Sequence, residues 1–315
     1  MSEQFLLAVD WWCQSTRAPW TWTPKLYIGV WIVMAALLGT YGWAMRKRAR
    51  SVGLDARDKR AILWFVLGAL ALWAATDWPL GLLGSGYLLS VHTTLYLIYT
   101  MVAAPLMVIG IPSWMATNLF DRVRGWGVYR WSVKPWIAAI VLNVALVFTH
   151  LPFIVDPFRS SQIGSFALDA IWLLSGAVGW LPVLTPFRDD RIAAPIWKCV
   201  YLFIAFGAFP MLPGAFITFS PLPLYRVYEL APRFGDWTPE DDQQLAGALM
   251  KVGNIPILWT VIAAVFVKTA LSQNRSERRV NLVDDDGRPV PEDDEATPEP
   301  DVPSTVGSAS SAPAR

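Results

Sequence analysis

The 315-residue sequence predicts an all-α integral membrane protein, a bundle of seven transmembrane helices with the N-terminus outside and the C-terminus in the cytoplasm. Composition is the first observation: 54% of residues are hydrophobic and 16% charged, where a soluble domain carries about 25% charged residues. The second is a recurrence of apolar runs of about 20 residues, the length a hydrocarbon core of ~30 Å requires. The third is the gathering of basic residues in short clusters beyond alternate runs, as the positive-inside rule expects. A net charge of +1 gives no argument for a nucleic-acid partner.

The elements follow in order. Residues 1–24 form an aromatic-rich segment with Trp11, Trp12, Trp20 and Trp22; it lacks the basic start and short apolar core of a signal peptide, so it is expected to stay as an extracytoplasmic segment. Residues 25–271 form the transmembrane domain, with spans at 25–45, 61–80, 87–110, 136–155, 163–186, 195–219 and 245–270. Arg46, Lys47, Arg48, Arg50, Arg57, Lys59 and Arg60 separate the first two spans, and Arg122, Arg124, Arg130 and Lys134 follow the third. Arg188 and Arg191, and then Arg275, Arg278 and Arg279, fall on the same cytoplasmic side. The opposite loops hold only Arg159, Arg226 and Arg233, with Arg17 and Lys25 before the first span. Trp20, Trp22, Trp78, Trp114, Trp131, Trp136 and Trp237 stand at span ends, where amphipathic rings anchor in the headgroup region. Pro105, Pro182, Pro210, Pro213 and Pro256 predict kinks whose freed carbonyls need other donors. Thr238 before Pro239, Glu240, Asp241 and Asp242 is a helix start with a capping residue, a proline in the first turn and acids near the positive end of the dipole. Residues 272–315 are acidic and Pro-containing, and are expected to be a disordered cytoplasmic tail. No internal repeat of the paired-half transporter type is visible.

Cys13 and Cys199 lie far apart without a C-x-x-C partner, which excludes a disulfide framework and a cysteine zinc site and makes Cys199 a candidate buried thiol. No phosphate loop, hydrolase elbow or paired-carboxylate pattern is present, so no enzyme is expected. Ionisable groups inside spans are costly and therefore informative. At about 1.5 Å of rise per residue, His92 on the third span, His150 on the fourth and Asp169 on the fifth share one level, roughly 8–10 Å below the outer surface. Tyr96 follows His92 by one helical turn and shares its face, and Met250 with Lys251 enters the last span near the same depth. Imidazole with carboxylate suits copper, zinc or iron, and a thioether adds preference for Cu(I). The other reading of the same residues is helix packing, with Asp169 paired to Lys251.

Short motifs in fixed order carry a resemblance. They are Pro19-Trp20-Thr21-Trp22, the run from Trp78-Pro79-Leu80-Gly81 through Leu82-Leu83-Gly84-Ser85-Gly86-Tyr87 to Ser90-Val91-His92, Ala104-Pro105-Leu106, Gly110-Ile111-Pro112, His150-Leu151-Pro152, Trp180-Leu181-Pro182-Val183-Leu184, and Asp242-Gln243-Gln244-Leu245-Ala246-Gly247 with Met250. From about Pro19 to Ala270 the sequence resembles the CtaG family of bacterial cytochrome c oxidase assembly proteins. The resemblance implies a multi-pass assembly chaperone of the bacterial cytoplasmic (inner) membrane, partnered with an oxidase subunit and membrane lipid and associated with copper supply. Two positions depart from the family pattern: Tyr96 stands where a second histidine is common, and Asp169 where a histidine precedes the Leu173-Leu174-Ser175-Gly176 stretch. Lys251 replaces an apolar or aromatic residue. The expected ligand set is therefore His92, His150, Asp169, Tyr96 and Met250, with copper as the ion. A metal-free scaffold for an oxidase subunit, and a small-solute transporter using Asp169 and Lys251 as coupling residues, are the competing functions.

Overall fold

A computed structural model of the chain describes residues 10–233 and 235–281, and all regular structure among them is helical. In chain order the helices are α1 Ile28–Ser51, α2 Ala56–Thr76, α3 Leu80–Gly86, α4 Leu89–Ile109, α5 Ser113–Val123, α6 Trp126–Ser132, α7 Pro135–Thr149, α8 Pro152–Arg159, α9 Gln162–Leu184, α10 Pro195–Phe219, α11 Arg226–Glu229, α12 Pro239–Val252 and α13 Ile255–Asn281. Six stretches are long and apolar enough to cross a bilayer: α1, α2, α4, α9, α10 and Pro239–Leu271. A seventh is added if α6 and α7, bent by 85° at their junction, count as one span. By their contacts, residues to Val265 form one unit; of a second, from Phe266 onward, only the end of α13 lies among the described residues.

The fourth apolar stretch differs most from expectation. Prolines bound it on both sides, and a residue preceding proline is held out of the helical region. Lys134 (ψ 124°) and Leu151 (ψ 131°) are both extended. Helix α7 is thereby cut to 15 residues, about 22 Å, and Pro152 opens a separate short helix, α8, that carries Arg159. The last span starts earlier than its apolar run, at Pro239, because the Thr238 hydroxyl accepts the Asp241 N–H at 3.1 Å. Its partner α13 continues to Asn281, past the predicted end at 270; the rest of the expected tail, 282–315, lies outside the described residues.

Two spans contain a widened turn. Ile98–Ala103 in α4 and Phe203–Ala208 in α10 are π-helical, and each ends two residues before a proline, Pro105 and Pro210. Proline donates no N–H and crowds the carbonyl of the preceding turn. Carbonyls left open there find side-chain donors: Trp180 Nε1 donates to Thr100 O at 2.8 Å, Asn143 Nδ2 to Ala205 O at 3.1 Å, and Asn254 Nδ2 to Phe206 O.

Helix α4 is the centre of the bundle. It is the most buried span, at 67%, and α2, α3, α9 and α12 pack on it. Close approach needs small residues: a Cβ on Gly84 of α3 would lie 3.2 Å from the His92 amide nitrogen and nearer still to Leu95. Asp242, from α12, accepts the N–H groups of Leu89 and Ser90 at 2.6 and 3.1 Å and the Ser90 hydroxyl, so a residue 153 positions after Leu89 caps the helix that bears His92. Outward faces stay apolar, as with Leu63, Ile140, Val144, Leu212 and Phe216, which suits a lipid environment.

Candidate functional site

The N-terminal ends of α4 and α9, the C-terminal end of α7, and α8 and α11 meet around His92, which is fully buried. Its Nδ1 lies 2.7 Å from the Tyr228 hydroxyl. That hydroxyl has one proton and donates it to Gly84 O at 2.6 Å. Arg159 Nε–H donates to the same nitrogen at 3.3 Å, so the two contacts call for opposite tautomers of His92. His150 terminates α7, and its Nδ1 lies 2.8 Å from Leu146 O. A carbonyl only accepts, so the His150 proton is on Nδ1. Both Nε2 atoms are buried without a hydrogen-bond partner, and that of His150 is a lone-pair acceptor.

The two rings lie 5.7 Å apart, edge to face. Trp172 of α9 stands beside both, at 4.9 Å from His92 and 6.0 Å from His150, held by its Nε1 donating to Thr149 Oγ1 at 2.9 Å. The Tyr96 ring lies 5.0 Å from His150, as expected for a residue one turn beyond His92. Tyr225 donates to His150 O at 2.7 Å. Helix α11, which presents Tyr228, is fixed by the Asp156 carboxylate accepting the Arg226 and Val227 N–H groups at 3.3 and 3.0 Å. Burial pushes the Tyr228 phenol well above its ordinary range, so it remains a protonated hydroxyl.

Asp169 is engaged elsewhere. Its Oδ1 is 3.0 Å from Arg159 Nη2, and its Oδ2 accepts Trp12 Nε1 at 2.9 Å. Arg159 is 1% exposed, with its guanidinium 5.0 Å from the Trp172 ring centre. Burial alone would lower its pKa, but the Asp169 carboxylate outweighs this and raises it. The predicted partner of Asp169, Lys251, instead lies over the Phe219 ring at 4.8 Å. The physical reason is that depth counted along a helix gives a level and not a direction around it. Met250 is buried on α12, the helix that packs along α4. Residues 10–27 fold across this end: Ser15 N–H donates to Arg159 O at 2.8 Å, and the Trp11 N–H to Gln162 Oε1 at 2.9 Å. Cys13, the buried cysteine where Cys199 is only half-buried, donates to Thr76 O at 3.4 Å; burial, with the Asp169 and Asp77 carboxylates, pushes its thiol up. Among the described residues, no group of three or more His, Cys, Asp or Glu is placed to hold a metal ion.

Residues 39–271, well over half the chain, match the family described as the cytochrome c oxidase caa3 assembly factor, Caa3_CtaG. The chain belongs to this family. Searches among curated proteins and among solved structures found no match. In this caa3 assembly factor, the motifs that carried the resemblance converge on α4: Gly84 admits it, Asp242 caps it, and Trp180 satisfies its widened turn. Sequence reasoning missed Arg159, Tyr228, Trp172 and Trp12 as members of the cluster. One signal for Arg159 was available, since a buried carboxylate needs a cation and Arg159 is ten residues from Asp169.

Proposed function

We propose that this assembly factor is a non-enzymatic copper carrier, which holds the ion between His92 and His150 and passes it to an oxidase subunit at the outer face of the bacterial cytoplasmic membrane. The observation that carries the reading is the pair of buried Nε2 atoms, both without partners, on rings 5.7 Å apart. An unsatisfied buried polar atom costs ~1–3 kcal/mol, and a shared ligand would relieve two at once. Imidazole nitrogen suits copper, and anchoring Nδ1–H on a carbonyl, as at His150, is how a ligating tautomer is fixed. Asp169 balances Arg159 in this reading and does not coordinate. Two imidazoles make an incomplete ligand set, with the Tyr96 ring 5.0 Å from His150, so the ion would keep exchangeable positions for transfer. The outer location rests on the imidazoles lying at the end of α4 opposite Gly110, near which the basic ends of α1 and α2 meet α5.

The test is copper content of the purified full chain. Stoichiometric copper in the parent, lost in His92→Ala and in His150→Ala with both variants still inserted and oxidase activity reduced, is the expected result. A copper-free parent that still supports oxidase assembly would overturn it and leave the scaffold reading. One observation favours that second reading, the buried Arg159–Asp169 pair tied to the N-terminal segment, which locks helices together without a metal.

A further inference from the structure

Helix α1 runs past its apolar stretch to Ser51, so its last turns carry cations on a wall that is otherwise hydrophobic. Between this wall, Phe65 of α2 and helix α5 lies a groove of about 700 Å³. Leu37, Tyr41, Phe65, Ile111, Met115 and Leu119 line it together with Lys47, Arg48 and Arg122, and none of its lining residues is acidic. The floor is rigid: Tyr41 stacks on Phe65 at 3.7 Å and donates to Gly110 O at 2.8 Å.

Arg48 is the informative residue. Its guanidinium sits 5.5 Å from the Trp114 ring centre, and Trp114 is held by donating Nε1–H to Asp58 Oδ1 at 3.0 Å. The other Asp58 oxygen accepts the Asp55 N–H at 3.4 Å, so that carboxylate is committed to structure. Arg48 Nε–H is buried and has no hydrogen-bond partner, an oriented donor in a basic pocket without a counter-ion. From Leu37 to Arg48 the groove follows ~16 Å of helix, about half of a ~30 Å hydrocarbon core and hence one leaflet.

We propose that this groove binds one anionic phospholipid, its phosphate on Arg48, Arg122 and Lys47 and an acyl chain along Leu37, Tyr41 and Phe65. A phosphate oxygen would take the orphaned Arg48 N–H in a charge-assisted bond, and basic residues at a membrane surface recruit anionic lipids. The test is native mass spectrometry of the delipidated full chain in neutral detergent, titrated with phosphatidylglycerol and with phosphatidylcholine of the same acyl chains. Phosphatidylglycerol should bind more tightly; Arg48→Gln should weaken it about fivefold and the Arg48→Gln/Arg122→Gln pair about thirtyfold. Arg48→Lys should retain most of the affinity, and Arg130→Gln, which removes an exposed charge from α6, should leave it unchanged. Equal binding of the two lipids would overturn the proposal. So would unaltered binding by the double variant with parental helicity, or full displacement by inorganic phosphate alone, which would mean an anion site without an acyl groove.

Discussion

Taking the carboxylate from Asp169 would leave a cation that is 1% exposed among aromatic rings, and breaking such a pair costs ~3–5 kcal/mol. Asp169→Asn is expected to lower the thermal midpoint sharply in detergent, while Arg159→Met combined with Asp169→Leu restores most of the loss. A double variant as unstable as the single would show that the pair is not the source. A smaller edit separates positioning from charge. Tyr228→Phe removes the hydroxyl shared by His92 and Gly84, and is expected to cost about 1 kcal/mol and to lower copper retention while leaving expression intact; unchanged retention would remove Tyr228 from the site. Some of this residue-level arrangement was readable in advance. The common depth of His92, His150 and Asp169 follows from counting residues along spans. The partner of Asp169 does not, because Arg159 sits on a helix that the apolar pattern merges into a neighbouring span and assigns, at its end, to a loop.

Element by element, the prolines announced where helices would distort, and they could not announce how. A kink and a widened π turn begin with the same missing N–H, and which one forms depends on whether Trp180, Asn143 or Asn254 stands opposite the open carbonyl. That is tertiary information. Trp180→Phe should therefore destabilise by ~1–3 kcal/mol, more than its change in apolar area explains, as measured by thermal unfolding in detergent. The cap on α4 gives a sharper contrast. Asp241 and Asp242 are adjacent acids at one helix start, and sequence assigns them the same duty. Only Asp242 is buried and reaches Leu89 and Ser90, so Asp242→Ala should cost about 1–2 kcal/mol and Asp241→Ala clearly less, and equal losses would mean that the cross-helix cap contributes nothing.

For the molecule as a whole, the helical membrane class was legible because composition and run length leave little else, whereas the count of six or seven spans turns on one stretch cut short by two prolines. Topology can be checked directly. A cytoplasm-active reporter fused after Arg60 or Arg275 should give signal, and a fusion within residues 221–236 should require an exported reporter; reversed signals at two sites would sink the N-outside arrangement. Truncation after Asn281 is expected to leave insertion and oxidase assembly at parental levels, as the remaining sequence is acidic and Pro-containing without an apolar face. The N-terminal segment that binds Arg159 and Asp169 is fastened late in synthesis. Trp12 reaches Asp169, 157 positions later in the chain, and Ser15 reaches Arg159. At translation rates of about 5–20 residues per second, roughly 8–30 s pass between the emergence of the segment and that of its anchors. During that interval the helices before Arg159 are already being made while the N-terminal segment has nothing to fasten to, so the youngest form of the protein is also its most open one.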